Sequence, residues 1–249
     1  MIDMARIFRA EVALYGALAD VEERPWGFLF YNTDNPSHYD ANHAMILDWG
    51  GDLEAIADEV SAFYRGKGLV PRFYGTFGAD EVARLGPILL QRGFQFVHEP
   101  IQLLIQRNPS RVQPNPELAI RRVTRMEPAI VELVQAEEPD EWAVKGIARA
   151  LRSPNVHLLV GYLGEVAVTM ALLVLMSGAS TVNEVRTHPA HRGRGYARTL
   201  MHHLVAYHRS LSPNLLYLLA NNPTAIRVYQ DAGFTVEGPV LDCWMAYQP

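Results

Sequence analysis

Alternating strand-like and helix-like hydrophobic patterns fill the second half of the 249-residue chain. Strands are predicted where apolar and β-branched residues cluster, and helices where apolar residues recur every three or four positions. The predicted strands are 118–123, 156–162, 165–176, 181–187, 215–220, 234–236 and 241–247. The predicted helices are 126–135, 141–151, 224–232 and one whose apolar stripe begins at Ala197. This order predicts an α/β layer fold with a mixed sheet.

A weaker copy of this pattern occupies the first half of the chain. It consists of predicted strands at 44–48 and 72–76, predicted helices at 53–64 and 79–91, and a strand pair from Gly93 to Gln106. The same order of elements at similar spacing predicts two tandem modules of similar topology, of which the second is complete.

A polar segment, 107–116, separates the two patterns and contains three prolines. Proline fixes its own φ and keeps the preceding residue out of the helical region, so the segment is typical of an extended connector. We therefore predict a first domain at 1–108, a linker at 109–117 and a second domain at 118–249.

Composition narrows the class of protein further. With 49% hydrophobic residues the chain has ample material for a core, and its net charge of -5 argues against a nucleic-acid partner, because phosphate binding needs clustered cations. The single cysteine, Cys243, excludes an internal disulfide and fits a reducing compartment. No secretory signal or stretch of about 20 apolar residues is visible. We expect a cytoplasmic protein without a membrane partner.

The segment 192–197, Arg-Gly-Arg-Gly-Tyr-Ala, has the composition of an anion-binding turn. It lies between a predicted strand and a predicted helix, where free backbone N–H groups and the positive helix end favour phosphate, and the arginines add charge. A purely structural turn and an RNA-binding Arg-Gly tract are the alternatives. The segment is not a Walker loop, because no Gly-Lys-Ser/Thr follows. It is not a dinucleotide-binding fingerprint, because its glycine spacing is different.

Two motifs resemble those of the GNAT acyltransferases. The segment 188–197, His-Pro-Ala-His-Arg-Gly-Arg-Gly-Tyr-Ala, is similar to their coenzyme A motif, Arg/Gln-x-x-Gly-x-Gly/Ala. The segment 222–234 resembles their second motif, Asn-x-x-Ala-x-x-x-Tyr-x-x-x-Gly-Phe. Both occur in the family's order. The resemblance covers 118 to the end and implies a complete GNAT fold there; the first module shares topology alone, so two tandem GNAT-like folds are expected.

The resemblance implies acetyl-CoA as co-substrate, with its pyrophosphate on the N–H groups of 193–198 and its pantetheine arm on the strand before the loop. The implied binding residues are Val185, Arg186, Thr187, Arg192, Gly193, Arg194, Gly195, Tyr196, Ala197, Arg198 and Asn222. Asn222 alternatively serves as an ordinary helix N-terminal residue. The resemblance also implies a β-bulge near 184–186 and a separation of the strand 181–187 from the strand 215–220.

The implied reaction is direct attack of a neutral amine on the thioester. The Val185 N–H would stabilise the oxyanion and Tyr229 would act as the acid for the thiolate, although a packing role for Tyr229 is the alternative. Members of the family often have Glu or His at the positions of Thr181 or Asn183, and neither residue is a base at neutral pH. Glu184 is the candidate base if a bulge turns it inward, and a water chain is equally consistent.

These residues predict an N-acetyltransferase that acts on a primary amine of a small molecule or peptide. The alternatives are a non-catalytic acyl-CoA sensor and an acyltransferase with a hydroxyl acceptor or a longer acyl chain. We expect no metal, because His202, His203 and His208 have no carboxylate or cysteine at ligand spacing. We expect no coenzyme A in the first module, where an acidic turn replaces the phosphate loop. The oligomeric state stays open.

Overall fold

The computed structural model describes residues 4–76 and 79–249, which form two compact units. The larger unit consists of Met1–Leu14 and Gln102–Pro239, and the smaller unit of Tyr15–Ile101 and Val240–Pro249. Three elements have residues in both: helix α1 (Met4–Leu18), strand β5 (Gln95–Gln106) and strand β11 (Phe234–Tyr247). This division differs from the predicted domains 1–108 and 118–249, because both chain ends are assigned to the unit formed mainly by the other half.

The predicted linker, 109–117, is a packed part of the larger unit rather than a free connector. The Arg111 N–H donates to the Asp231 carbonyl at 2.9 Å, and the Asn115 N–H donates to the Thr199 hydroxyl at 2.9 Å. These contacts satisfy backbone donors that a short extended segment cannot satisfy internally. The prolines correctly predicted an irregular segment, but they do not predict which residues this segment packs against.

The larger unit is a mixed sheet with helices, as predicted. Its strands follow the order β5-β10-β9-β8-β7-β6, and all neighbours are antiparallel except β9 and β10. The strands are β6 (Ala119–Val123), β7 (Val156–Leu163), β8 (Val166–Val174), β9 (Ala179–Thr187) and β10 (Leu215–Ala220). The helices are α4 (Pro128–Gln135), α5 (Glu141–Ala150), α6 (Tyr196–Leu211) and α7 (Pro223–Asp231).

The apolar stripe predicted at Ala197 becomes the buried face of α6. Leu200, Leu204 and Val205 of this helix form one core with Val182 of β9 and Leu218 of β10. The continuous apolar runs of β7 and β8 are buried along almost their whole length, as expected for central strands. The core thus fixes α6, and with it the turn before it, on one face of the sheet.

The smaller unit has a sheet in the order β1-β2-β3-β4-β11. Its elements are β1 (Asp20–Arg24), β2 (Gly27–Tyr31), β3 (His43–Ile46), α2 (Leu53–Gly66), β4 (Arg72–Thr76) and α3 (Ala79–Gln91). The sequence patterns predicted β3, α2, β4 and α3 but missed α1, β1 and β2. No helix among the described residues is long and apolar enough to cross a membrane.

Two strands are longer than predicted. Residues 234–247 form one continuous strand where two were expected, although Gly238 adopts a φ of 73° within it. Likewise, one strand, β5, replaces the strand pair predicted between Gly93 and Gln106. Glycine and proline signalled interruptions, but pairing with neighbouring strands maintains the extended backbone through them.

Candidate functional site

The turn between β9 and α6 has the backbone that its glycines predict. Gly193 and Gly195 have φ values of 77° and 78°, and Gly195 is the N-cap of α6. A Cβ added at either position would meet no atom within 4 Å. Glycine is therefore required by the left-handed backbone and not by crowding. The open space beside this backbone leaves room for a ligand against the N-terminus of α6.

A cleft of about 480 Å³ adjoins this turn. Ten of the thirteen predicted site residues line it: Val185, Thr187, Arg192, Gly193, Gly195, Tyr196, Ala197, Arg198, Asn222 and Tyr229. Three predicted residues do not line it: Glu184, Arg186 and Arg194. The sequence did not predict the remaining lining residues, which are Glu137, His191, Thr224, Ala225 and Val228. The N-termini of both α6 and α7 contribute, so two positive helix ends border one cleft.

The strands β9 and β10 separate at this cleft, as expected. Their parallel pairing runs from Ala179 opposite Leu215 to Thr181 opposite Tyr217 and stops there. Val185 and Thr187, farther along β9, line the cleft instead. Unpaired N–H and C=O groups at this split are available to a ligand that lies along β9 as an extra strand would.

A β-bulge interrupts β9 where the resemblance implied one. Met170 of β8 pairs with Arg186 and Leu172 pairs with Asn183, so two residues of β9 oppose one of β8. Glu184, within the bulge, has a φ of 52° and is the only described non-glycine residue with positive φ. A left-handed non-glycine residue is strained, and such strain is common at functional sites.

Glu184 is engaged by a neighbour on its own strand. Its Oε2 lies 2.7 Å from the Arg186 Nε, and both side chains are largely buried. Neither residue lines the cleft. The bulge is therefore present, but it does not bring Glu184 into the cleft, and the role of Glu184 as a base stays a prediction.

The two arginines that line the cleft, one in the loop and one in α6, are each paired with a carboxylate. Arg192 donates through Nε to the Thr187 carbonyl at 3.1 Å and pairs through Nη2 with Glu137. Arg198 pairs with Asp231 at 2.6 Å. Arg194 is exposed to solvent. Glu137 follows helix α4, 55 positions before its arginine, which is why the loop motif could not reveal it.

Tyr229 and Asn222 sit at the two ends of α7. The Asn222 side-chain oxygen accepts from the N–H groups of Thr224 and Ala225 at 2.8 and 3.2 Å, so it is the N-cap of the helix. Tyr229 is 7% exposed, and burial raises its pKa to about 12. At neutral pH its phenol is therefore fully protonated. Both residues line the cleft as well as packing the helix.

Two histidines near the loop form hydrogen bonds within the protein. The His188 Nδ1 accepts from the Ala190 N–H at 3.2 Å, and the His202 Nδ1 lies 2.8 Å from the Ser110 hydroxyl. Within 4–76 and 79–249 there is no group of three or more His, Cys, Asp or Glu side chains that could hold a metal ion. These residues shape the loop and its surroundings.

One protein-family model matches the part of the chain that contains the cleft. Residues 126–234 match the sequence model described as Acetyltransferase (GNAT) family, a range that includes the cleft, the two-glycine turn and both motifs. The matched range coincides with elements α4 to α7 and the strands between them. No curated protein matches the sequence.

Solved structures extend the fold similarity beyond the matched range. A GCN5-related N-acetyltransferase from Kribbella flavida aligns with a TM-score of 0.68 and 16% identity over 100% of this chain and 96% of its own. A putative GNAT acetyltransferase from Novosphingobium aromaticivorans aligns with a TM-score of 0.63 and 16% identity over 98% of this chain and 97% of its own. The mixed α/β fold is thus that of GNAT proteins, and the full coverage is consistent with a tandem architecture.

Proposed function

We propose that the protein is an acyl-CoA-dependent N-acyltransferase that transfers acetyl from acetyl-CoA to a primary amine. The observation that supports this most strongly is the cleft itself. It joins a two-glycine turn at the N-terminus of α6 to the point where β9 and β10 separate. The GNAT match over 126–234 supports the same class of reaction.

The turn suits a diphosphate chemically. Backbone N–H groups at 193–198 precede or begin helix α6, so they have no partners inside the helix and lie at its positive end. Arg192 would add a charge-assisted hydrogen bond once it releases Glu137. We propose that these groups hold the coenzyme A diphosphate and that the pantetheine arm lies along Val185 and Thr187.

Attack of the amine on the thioester carbonyl places a negative charge on the carbonyl oxygen and then on the sulfur. The Val185 N–H, at the bulge of the separated strand, is the proposed donor to the oxyanion. Tyr229 is the proposed donor to the sulfur. With a pKa of about 12 against about 8.5 for a thiol, full proton transfer from the phenol is uphill by about 5 kcal/mol. Tyr229 therefore stabilises the thiolate as a hydrogen-bond donor.

The smaller unit is proposed to be a degenerate GNAT-like module without coenzyme A. Asp52 is the N-cap of its helix α2, and the Asp52 carboxylate accepts from the N–H groups of Glu54 and Ala55 at 3.0 and 3.2 Å. The helix end that would face a diphosphate is thus neutralised by a fixed negative charge. A cytoplasmic location and a small-molecule or peptide amine as acceptor stay predictions.

A thiol-release assay with acetyl-CoA and an amine library tests the proposal. Turnover with at least one amine is expected, and the Tyr229→Phe variant should lose turnover while retaining coenzyme A affinity. Coenzyme A binding without turnover on any amine or alcohol would instead indicate a sensor. If the protein preferred a hydroxyl acceptor or a longer acyl chain, it would still be an acyl-CoA-dependent acyltransferase, but with a different substrate from the one proposed.

A further inference from the structure

Arg72, at the start of β4 in the smaller unit, is a half-buried arginine without a carboxylate partner. Its Nη1 is buried and makes no hydrogen bond, and no side chain within 4–76 or 79–249 forms an ion pair or a hydrogen bond with the guanidinium. The guanidinium of arginine stays charged in proteins, and a charge withdrawn from water without a partner is destabilising. The position therefore lacks an anion that the described part of the chain does not supply.

Among the described residues of the smaller unit, two other arginines are half-buried, and both are paired with carboxylates. The Arg24 Nε lies 2.6 Å from the Glu59 Oε1, and the Arg92 Nε lies 2.7 Å from the Asp58 Oδ1. These hydrogen bonds raise the pKa of both guanidinium groups. Burial instead lowers the pKa of the Arg72 guanidinium. Arg72 thus departs from the arrangement that this unit gives its other half-buried arginines.

Two tyrosines near Arg72 do not neutralise it. Burial lowers the pKa of the Arg72 guanidinium, and the hydroxyls of Tyr64 and Tyr247 offset only part of that effect. The Tyr64 hydroxyl donates to the Phe30 carbonyl at 2.8 Å, and the Tyr247 hydroxyl donates to the Gln95 Oε1 at 2.9 Å. Both phenols are therefore protonated, and their oxygens carry only partial negative charge. The full positive charge of the guanidinium stays uncompensated.

The surface beside Arg72 is apolar and partly aromatic. Phe73 of β4 belongs to the core that α2 and α3 cover, so strand alternation places Arg72 and Tyr74 on the opposite face of the sheet. Tyr247 and Met245 of β11 lie opposite these two residues in the antiparallel register. All four side chains on this face belong to residues that are partly exposed. A ligand from solvent therefore has access to the guanidinium and to an apolar surface beside it.

The charge at this site determines the class of anion. The His43 ring lies 5.3 Å from the Tyr74 ring, but burial lowers the pKa of His43 to about 3, so its imidazole is uncharged at neutral pH. A carboxylate matches the single charge of Arg72 and offers two oxygens to two N–H groups, whereas a phosphate dianion would retain a negative charge. We propose that the smaller unit binds a carboxylate with an apolar or aromatic body, which Arg72 anchors and which packs on Tyr74 and Met245. This site goes beyond the proposed acetyl transfer and does not depend on it.

The test titrates the full chain with sodium benzoate in a carboxylate-free buffer at constant ionic strength. NMR follows the Nε–H signal of Arg72, which is assigned by its absence in Arg72→Met. We expect a saturable shift with a Kd of about 5–10 mM, as is typical of a ligand of this size. At about 50 mM, benzoate should raise the melting temperature by about 2–5 °C. Acetate, which lacks the ring, should bind more weakly than benzoate.

Three variants isolate the role of the unpaired charge. Arg72→Met retains an apolar stem without the guanidinium, so it should lose the benzoate effect and, without benzoate, melt no earlier than the unmodified protein. Arg92→Met is the matched control, because it removes a paired arginine of similar burial from the same unit; it should melt earlier and retain benzoate binding. Arg72→Lys retains the charge but not the two parallel N–H groups, and should bind benzoate about tenfold more weakly.

Several results would overturn the inference. These are no saturable shift of the Arg72 signal, an equal effect of benzoate on the melting of Arg72→Met and of the unmodified protein, and a loss of stability in Arg72→Met as large as that in Arg92→Met. Tighter binding of inorganic phosphate than of benzoate would overturn the assignment to a carboxylate. If Arg72→Met fails to fold, Arg72→Lys decides, and unchanged benzoate affinity in that variant overturns the inference. The titrations contain neither acyl-CoA nor amine, so their outcome leaves the proposed acetyl transfer untouched.

Discussion

Substitution of Gly195 by alanine isolates the contribution of the turn to coenzyme A binding. Gly195 has a φ of 78°, and an added Cβ would meet no neighbouring atom. The variant therefore introduces only the cost of a left-handed backbone in a residue with a side chain, about 1–2 kcal/mol. We expect the free variant to avoid part of that cost by relaxing the turn, which turns its N–H groups away from the ligand.

Gly164 provides a matched control. It lies in the turn between β7 and β8, has a φ of 60°, and also has no atom within 4 Å of an added Cβ. Both variants should lose about 1–2 kcal/mol of unfolding free energy, which corresponds to about 2–8 °C in melting temperature for a chain of this length. Relaxation of the Gly195 turn should in addition weaken coenzyme A binding about five- to thirtyfold.

Calorimetric titration with coenzyme A and thermal melting of both variants measure the two effects. Gly164→Ala should melt earlier and bind coenzyme A with unchanged affinity. Gly195→Ala should show both losses. Equal coenzyme A affinity in the two variants would refute the reasoning, because the turn would then not hold the diphosphate.

Three further predictions concern single side chains. Tyr229→Phe should lower kcat about 10²- to 10³-fold and leave the Kd for coenzyme A within about twofold, since the phenol acts on the departing sulfur; equal kcat would contradict this. Glu137→Gln should tighten coenzyme A binding up to about fivefold in calorimetry, because Arg192 no longer has to leave an exposed ion pair; weaker binding would contradict competition between Glu137 and diphosphate. The third prediction concerns His43. Burial lowers the pKa of its imidazole from 6.5 to about 3. Because the unfolded chain protonates this histidine below about pH 6.5 and the folded protein does not, the free energy of unfolding falls by about 1.4 kcal/mol per pH unit from about pH 6.5 towards pH 3. Above about pH 6.5 this loss is absent. In urea denaturation His43→Phe should therefore lose less stability than the unmodified protein between pH 6.5 and 4, and parallel curves would contradict this.

The parts of the site that the sequence predicted are those determined by local backbone chemistry. The left-handed turn at Gly193 and Gly195 follows from glycine spacing before an apolar helical stripe, and Asn222 before Pro223 is a helix N-terminal signal. The bulge at Glu184 came from the family resemblance and is confirmed by the register of β8 and β9.

The parts that the sequence did not predict depend on contacts between distant residues. Glu137 reaches Arg192 across 55 positions, and Glu11 reaches Tyr217 across 206. Neither glutamate belongs to a recognisable sequence motif, since each is a single charged residue in an ordinary helix or loop. The two compact units differ from the predicted domains for the same reason. Periodicity predicts which segments are helices or strands, but the assignment of most of α1 to the larger unit depends on which surface that part of the helix covers.

Calorimetry of the full chain with coenzyme A and with pantetheine, which lacks the diphosphate together with the phosphorylated adenosine, tests the central claim most directly. If the N–H groups before α6 bind the diphosphate, coenzyme A makes two or more charge-assisted hydrogen bonds that pantetheine cannot make. Pantetheine should then bind at least about 100-fold more weakly than coenzyme A. Folded protein that binds the two with equal affinity, or that gives no heat with coenzyme A, would contradict the account.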